Sequence, residues 1–239
     1  MHEDHIEISD LRIEIIRKRI KNVHLTVRPP DGAVRITSPL RMEQEELRRF
    51  AASKLDWILR KRDEMRAQGR ESRRDYVDRE SHYVWGRPCL LEIEEGKAAP
   101  RVEWEEGRLR LRLRPGSDRA KREAVVDRWC RDQVREALGP LVAKWSVILG
   151  VRVESVDVRK MKSKWGSCSP RKRLIRFNSE LGKKPPECLE YVVVHELAHL
   201  IEASHDARFK ALLDRYLPGW RQVRALLNRF PLGQEEVAE

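Results

Sequence analysis

The stretch Tyr191-Val-Val-Val-His195-Glu196-Leu-Ala-His199-Leu200-Ile201 constrains this chain more than any other. Leu189, Val192, Val193, Leu197, Leu200 and Ile201 recur at helical spacing and make a broad apolar stripe. Tyr191, Val194 and Ala198 flank the two histidines, so the predicted helix is apolar almost all round and has to be buried. Two imidazoles and a carboxylate in a buried helix are costly unless they have partners. Residues four apart are neighbours on one helix face, so His195 and His199 can share one metal ion, which supplies such a partner.

Glu196 lies beside them, where a carboxylate can accept a proton from a water that the metal has activated. HExxH fixes only three positions and occurs by chance on ordinary helices. Here, however, the other positions of the motif are uncharged, the helix is predicted to be buried, and a third imidazole follows at His205. On a straight helix His205 would lie about 15 Å along the axis from His195. The helix is therefore expected to end near Ala203-Ser204 and the chain to turn back, with Ser204 and Asp206 suited to cap the next helix. Glu202 is the rival ligand and ranks below His205. His2, His5, His24 and His82 show no ligand spacing and are expected at surface or structural positions. Three protein ligands and one open vertex mark a catalytic rather than a structural zinc site. One Zn2+ per chain is expected, and another divalent metal could use the same donors.

The rest of the chain sets the surroundings of that site. Val23, Leu25, Val27, Val34 and Ile36 alternate as strands around a turn at Pro29-Pro30-Asp31-Gly32. One helix is predicted over 43–67, with glutamates at its start and Arg60, Lys61 and Arg62 near its end. A polar loop follows at 68–81. Extended stretches come next at about 82–95 and 101–114, the second with Leu109, Leu111 and Leu113 alternating with arginines. A long helical pattern over 118–149 carries Gly139-Pro140, which predicts a kink or a split. Short strands near 151–162 and 173–178 are joined by a loop, Gly166-Ser167-Cys168-Ser169-Pro170. Helices then occupy about 186–202, 206–214 and the segment after Pro218-Gly219. No internal repeat is visible. Strands first and helices later make the class α+β.

Lys plus Arg is 50 against 39 Asp plus Glu, a net charge of +11. That favours anionic partners without choosing one. Cys89, Cys130, Cys168 and Cys188 form no CxxC clip and read as free thiols of a reducing compartment. The acidic start lacks an apolar core, and no run approaches the roughly 18 apolar residues of a membrane span. A cytoplasmic protein with no membrane association is expected.

With these residues in hand, the chain resembles the YgjP-like family of small metallopeptidase-type proteins, related in motif to SprT-like and WLM zincins. The likeness runs over about residues 10–225. It is carried by Lys54-Leu55-Asp56-Trp57-Ile58, by Lys162-Ser163-Lys164-Trp165-Gly166-Ser167-Cys168, by Phe177-Asn178, and by Tyr191 to Leu200 with His205 and Phe209. The resemblance implies a small gluzincin-like (minigluzincin-like) metallopeptidase core with three histidine ligands and Glu196 as general base. It also implies that the strand before the site lies across the cleft, with Trp165-Gly166-Ser167-Cys168 near it. The chain then divides into a strand-rich region with one helix at 1–116, a zincin-like catalytic domain at 117–230, and a tail at 231–239.

Two substrate readings follow. A peptide could add as a strand at the cleft. Some YgjP-like proteins are assigned as UTP pyrophosphatases, and in the basic run Arg159-Lys160-Met161-Lys162-Ser163-Lys164 alternate side chains on a strand would face one side and could hold phosphates, with Arg159, Lys162 and Lys164 the candidate residues. On either reading Trp165 and Ser167 complete the candidate substrate-binding set. A third reading, a non-catalytic nucleic-acid-binding protein, has the charge but no recognised motif. Cys168 has no paired base near it in sequence and is not expected to be a nucleophile.

Overall fold

The computed structural model describes residues 4–28, 32–67, 74–162 and 164–230. The turn residues Pro29, Pro30 and Asp31, the first part of the expected loop (68–73), His2, Ser163 and the tail 231–239 lie outside the described residues. The chain divides into two compact units, Met1–Arg70 and Glu71–Glu239. A boundary at 116/117 thus falls inside the second unit.

The first unit opens with β1 (Asp4–Ile8), β2 (Leu11–Lys18), β3 (His24–Arg28) and β4 (Ala33–Pro39). Their order is β1-β2-β4-β3, with antiparallel outer pairs and a parallel β2–β4 pair at the centre. The period of two decides what is buried: Ile13 and Ile15 on β2, and Val34 and Ile36 on β4, face the core. Between them Glu14 and Arg35, opposite each other in register, pair at 2.6 Å on the other face. Leu47, Ala51 and Ile58 cover the apolar face from α1 (Gln44–Ser53) and α2 (Leu55–Ala67). The single helix expected over 43–67 is broken at Lys54, whose N–H turns back to the Ala51 carbonyl.

The second unit begins with the same plan. β5 (Ser81–Val84), β6 (Arg87–Glu95), β7 (Arg101–Glu105) and β8 (Arg108–Leu113) order as β5-β6-β8-β7, again two hairpins joined through a parallel central pair. Each expected extended stretch is thus a hairpin. Its tight turn, Trp85-Gly86 or Glu106-Gly107, has positive φ at both residues. The central rungs also match those of the first sheet. Leu91, Glu92 and Ile93 face Leu109, Arg110 and Leu111, as Ile13, Glu14 and Ile15 face Val34, Arg35 and Ile36. The expectation of no internal repeat is therefore corrected at the level of topology. Alternating strands of different composition satisfy one pairing scheme, so the repeat is invisible residue by residue.

α3 (Arg119–Leu149) starts at Asp118, whose carboxylate accepts the Lys121 N–H at 2.8 Å, and ends at Gly150 with φ 65°. It runs unbroken through Gly139-Pro140, so the expected split does not occur. Val126 and Cys130 pack on the second sheet, whereas Val134, Leu138, Trp145 and Leu149 enter the core that surrounds the HExxH helix. That core contains a third sheet, in the order β10 (Gly166–Ser169), β11 (Leu174–Asn178), β9 (Ser155–Arg159). The predicted loop Gly166–Ser169 is thus an edge strand, antiparallel to β11. α4 (Pro186–Ala198), α5 (Ala207–Tyr216) and α6 (Trp220–Arg229) complete the unit.

The β5–β6 turn ties the second sheet to this core. Trp85 N–H donates to the Gly182 carbonyl at 2.8 Å and Gly86 N–H to that of Lys183 at 3.3 Å. A Cβ at Gly86 would lie 2.8 Å from Pro185 Cγ, and φ there is 76°, so both space and backbone require glycine. All four cysteines are unpaired, with Cys168 half-buried and the others buried. Among the described residues, no helix is long and apolar enough to cross a membrane.

Candidate metal centre

α4 presents the first two imidazoles from within the core. Cys188, Leu189, Val192, Val193, Val194, Leu197 and Ala198 are all buried, as the all-round apolar pattern required. The helix ends sooner than expected, at Ala198. Leu200 N–H donates to Leu197 and Ile201 N–H to Ala198, tightening the last turn, and Glu202 N–H also reaches Ala198. The chain then doubles back, and Asp206 caps α5 by accepting the N–H groups of Arg208 and Phe209 at 2.9 and 3.1 Å. This reversal carries His205 across to α4.

The three imidazoles converge. His205 Nε2 lies 3.0 Å from His195 Nε2 and 3.1 Å from His199 Nε2. Zn–N bonds of 2.0–2.1 Å in tetrahedral geometry place two such nitrogens about 3.3 Å apart, so the spacing suits one ion. His199 Nδ1 lies 3.1 Å from the Glu202 carbonyl. An Nδ1–H donating there leaves the Nε2 lone pair free to bind metal. Glu202 therefore contributes its backbone, while its carboxylate accepts from the Ser204 hydroxyl at 3.2 Å. His195 Nδ1 is buried without a hydrogen-bond partner among the described residues, so packing orients that ring. Phe209 lies against all three rings, at 5.0, 4.6 and 4.8 Å between centroids. Tyr191 lies 5.7 Å from His195.

Electrostatics keep these rings neutral, the form that binds metal. Burial, then the neighbouring His199 and His205, pushes His195 down to about 3. His199 and His205 are also lowered, chiefly by burial. Glu196 is 5% exposed, and burial pushes its carboxyl up to about 7 while the Lys164 ammonium pulls the other way. A carboxyl with that pKa suits proton transfer near neutrality.

Gly166 makes room for that carboxylate. A Cβ there would lie 2.5 Å from Glu196 Oε1 and 2.7 Å from its Cγ. Glu196 thus sits directly on the backbone of β10, a role for Gly166 that the sequence reading missed. Its only signal was a glycine beside Trp165 in a segment that reads as a loop.

The candidate substrate residues are distributed unevenly around this centre. Ser167 is on β10 and half-buried Trp165 just precedes it, with Lys184 Nζ 5.7 Å from the Trp165 ring. Lys162 and Lys164 are exposed on the approach to β10, and the Lys164 carbonyl accepts from the buried Asn178 side chain at 2.9 Å. Arg159 ends β9, on the opposite edge of the sheet, 3.7 Å from Asp157. The basic run leaves β9 at Arg159, and among the described residues Lys160, Met161, Lys162 and Lys164 lie on no strand along which to alternate. Within it, Lys160 is held by Asp127 at 2.8 Å and Glu123 at 3.2 Å. Cys168 is pushed up to about 11 by burial and by Glu196, which holds it as a thiol. Elsewhere, His82 is buried against Glu80 at 2.8 Å, a structural position.

Residues 21–230 match the family model described as YgjP-like, metallopeptidase domain. No curated protein matches the chain. Among solved structures, the metallopeptidase zymogen of Methanocaldococcus jannaschii jannalysin is 21% identical, covering 37% of this chain and 90% of that one at a TM-score of 0.34. The zymogen of Pyrococcus abyssi abylysin is 22% identical, covering 37% and 89% at 0.35. At such scores these likenesses carry no weight for the fold.

Proposed function

Because this chain belongs to the YgjP-like metallopeptidase family, we propose that it is a zinc-dependent peptidase in which His195, His199 and His205 hold the ion and Glu196 is the general base. The observation that carries this reading is the meeting of three imidazole nitrogens at 3.0–3.1 Å beside a buried carboxylate. A zinc ion bound there would supply a Lewis acid and a water with pKa near 7.

The chain's own residues do the rest. Glu196 accepts the proton of the attacking water at a carboxylate oxygen and returns it to the leaving amine. Gly166 lets that carboxylate lie against β10, which fixes its position. β10 is the outer strand of its sheet, so its free edge can pair with an extended peptide. Trp165 and Ser167 would border such a peptide, with Lys164 and Lys162 on its approach. Arg159, on the far edge, is the outlier of the proposed set. The pyrophosphatase alternative draws on the basic run, where Lys160 is already committed to two carboxylates. A non-catalytic nucleic-acid-binding role leaves the converging imidazoles without a purpose.

Purified protein is expected to carry about one zinc per chain, and His199→Ala to lose it, by elemental analysis. Glu196→Gln should keep the metal and lower peptide turnover by about 10²–10⁴-fold. Full zinc retention in His199→Ala would reject the ligand set. Pyrophosphate release from UTP that depends on Glu196, with no peptide cleavage, would overturn the peptidase reading.

A further inference from the structure

Asn178 ends β11 and is fully buried. A buried amide is tolerated when its donors and acceptors are engaged, and here all four positions are taken. Oδ1 accepts the N–H groups of Met161 and Glu180, both at 3.2 Å. Nδ2 donates to the carbonyls of Met161 at 2.8 Å and Lys164 at 2.9 Å. The Asn178 backbone N–H adds a bond to the Trp165 carbonyl at 2.9 Å. Two N–H groups on one side and two carbonyls on the other fix which way the amide points. They also exclude a carboxylate, which would set an oxygen against both carbonyls.

What these bonds hold is the chain that leads into β10. Met161 and Lys164 lie on no strand, so no ladder satisfies their backbone groups. Lys160, just before them, is held on α3 by Asp127 and Glu123. Asn178 takes over from Met161 and reaches Trp165, one residue short of Gly166. Gly166 is itself the register partner of Phe177, the neighbour of Asn178. A Cβ at Gly166 would lie 2.5 Å from Glu196 Oε1. The carboxylate of the proposed base therefore rests on backbone whose approach is fixed by one buried side chain.

We propose that Asn178 is a positioning residue for the general base: it clamps Met161, Lys164 and Trp165 so that Gly166 forms the wall that sets the Glu196 carboxylate. This rests on the peptidase reading and deepens it. Asn178 acts through Gly166 and Glu196 and does not meet the substrate.

The test uses the full-length, zinc-loaded protein and fluorescein-labelled casein as substrate. Asn178→Asp keeps the size of the side chain and an oxygen for the Glu180 N–H, but loses the donor to the two carbonyls. It should lower kcat by about 10–100-fold and change KM by less than about 3-fold. Asn178→Ala, which brings in no charge, should reproduce the loss of kcat and free the Met161 amide to hydrogen exchange. Both variants should keep their zinc. In a Glu196→Gln background either substitution should lower the residual rate by less than about 2-fold, because the group it positions is gone. Val158→Ala truncates the core on β9, across β11 from the clamp, and should lower the denaturant midpoint without this loss of kcat. Unchanged kcat in both Asn178 variants, a full further loss in the Glu196→Gln background, or an equal loss in Val158→Ala would overturn the clamp alone. Failure of the wild-type protein to cleave casein would overturn the peptidase reading, and the clamp's role with it.

Discussion

The two four-stranded sheets share strand order, pairing directions and central rungs, yet they are covered differently. In the sheet of residues 4–39, the Ser9-Asp10 turn closes a hairpin and the apolar face is covered by α1 and α2. In the sheet of residues 81–113, the equivalent Trp85-Gly86 turn bonds to Gly182 and Lys183, just before the helix that carries His195. One helix, α3, then runs from that sheet into the core of the site. Strand topology therefore does not assign a role here. What separates the two sheets is a single turn and a long helix.

Truncation at matching core positions should give the largest effects. Ile36 and Leu111 are both fully buried at the same rung of the parallel pair. Ile36→Ala and Leu111→Ala should each cost about 2–5 kcal/mol. Hydrogen exchange should place each loss of protection within its own unit, and only Leu111→Ala should weaken zinc affinity. Equal effects on zinc would remove the distinction between the sheets.

A smaller effect isolates the turn. Gly86→Ala combines positive φ with a clash against Pro185 and should cost about 2–4 kcal/mol. Gly107→Ala has the same φ of 76° but nothing within 4 Å, and should cost about 1–2 kcal/mol. Denaturant midpoints check the difference. If the two variants prove equally stable, the tie between the second sheet and the site is incidental.

The smallest effect concerns the rungs. Double-mutant cycles on Glu14–Arg35 and Glu92–Arg110 should each give coupling below about 1 kcal/mol, fading in high salt. The 2.6 Å pair should exceed the 3.4 Å pair. A coupling of several kcal/mol at either rung would mean that the repeated ion pairs, not the repeated apolar alternation, hold the sheets.

Local physics made part of this molecule readable in advance. The all-round apolar run around HExxH demands burial, so α4 was legible as a core helix. The reach of a straight helix demands a reversal before His205, and Asp206 was legible as the cap that follows. The alternation of Leu109, Leu111 and Leu113 announced a half-buried strand. These features depend on residues a few positions apart, where spacing and geometry are linked.

What only the tertiary structure decided involves partners distant in sequence. Gly166-Ser167-Cys168-Ser169 has weak strand propensity and becomes β10 because β11 offers Ile175 and Phe177 to a buried sheet. The break at Lys54, the end of α4 at Ala198 and the unbroken passage through Pro140 depend on how each helix packs. Two short glycines, Gly86 against Pro185 and Gly166 against Glu196, acquire their meaning from a neighbour 99 and 30 positions away. Sequence alone determined which groups could bind a metal, since that follows from side-chain chemistry and helical period. Tertiary packing determined where the carboxylate rests and which cations face it, because those contacts join segments that no periodicity connects.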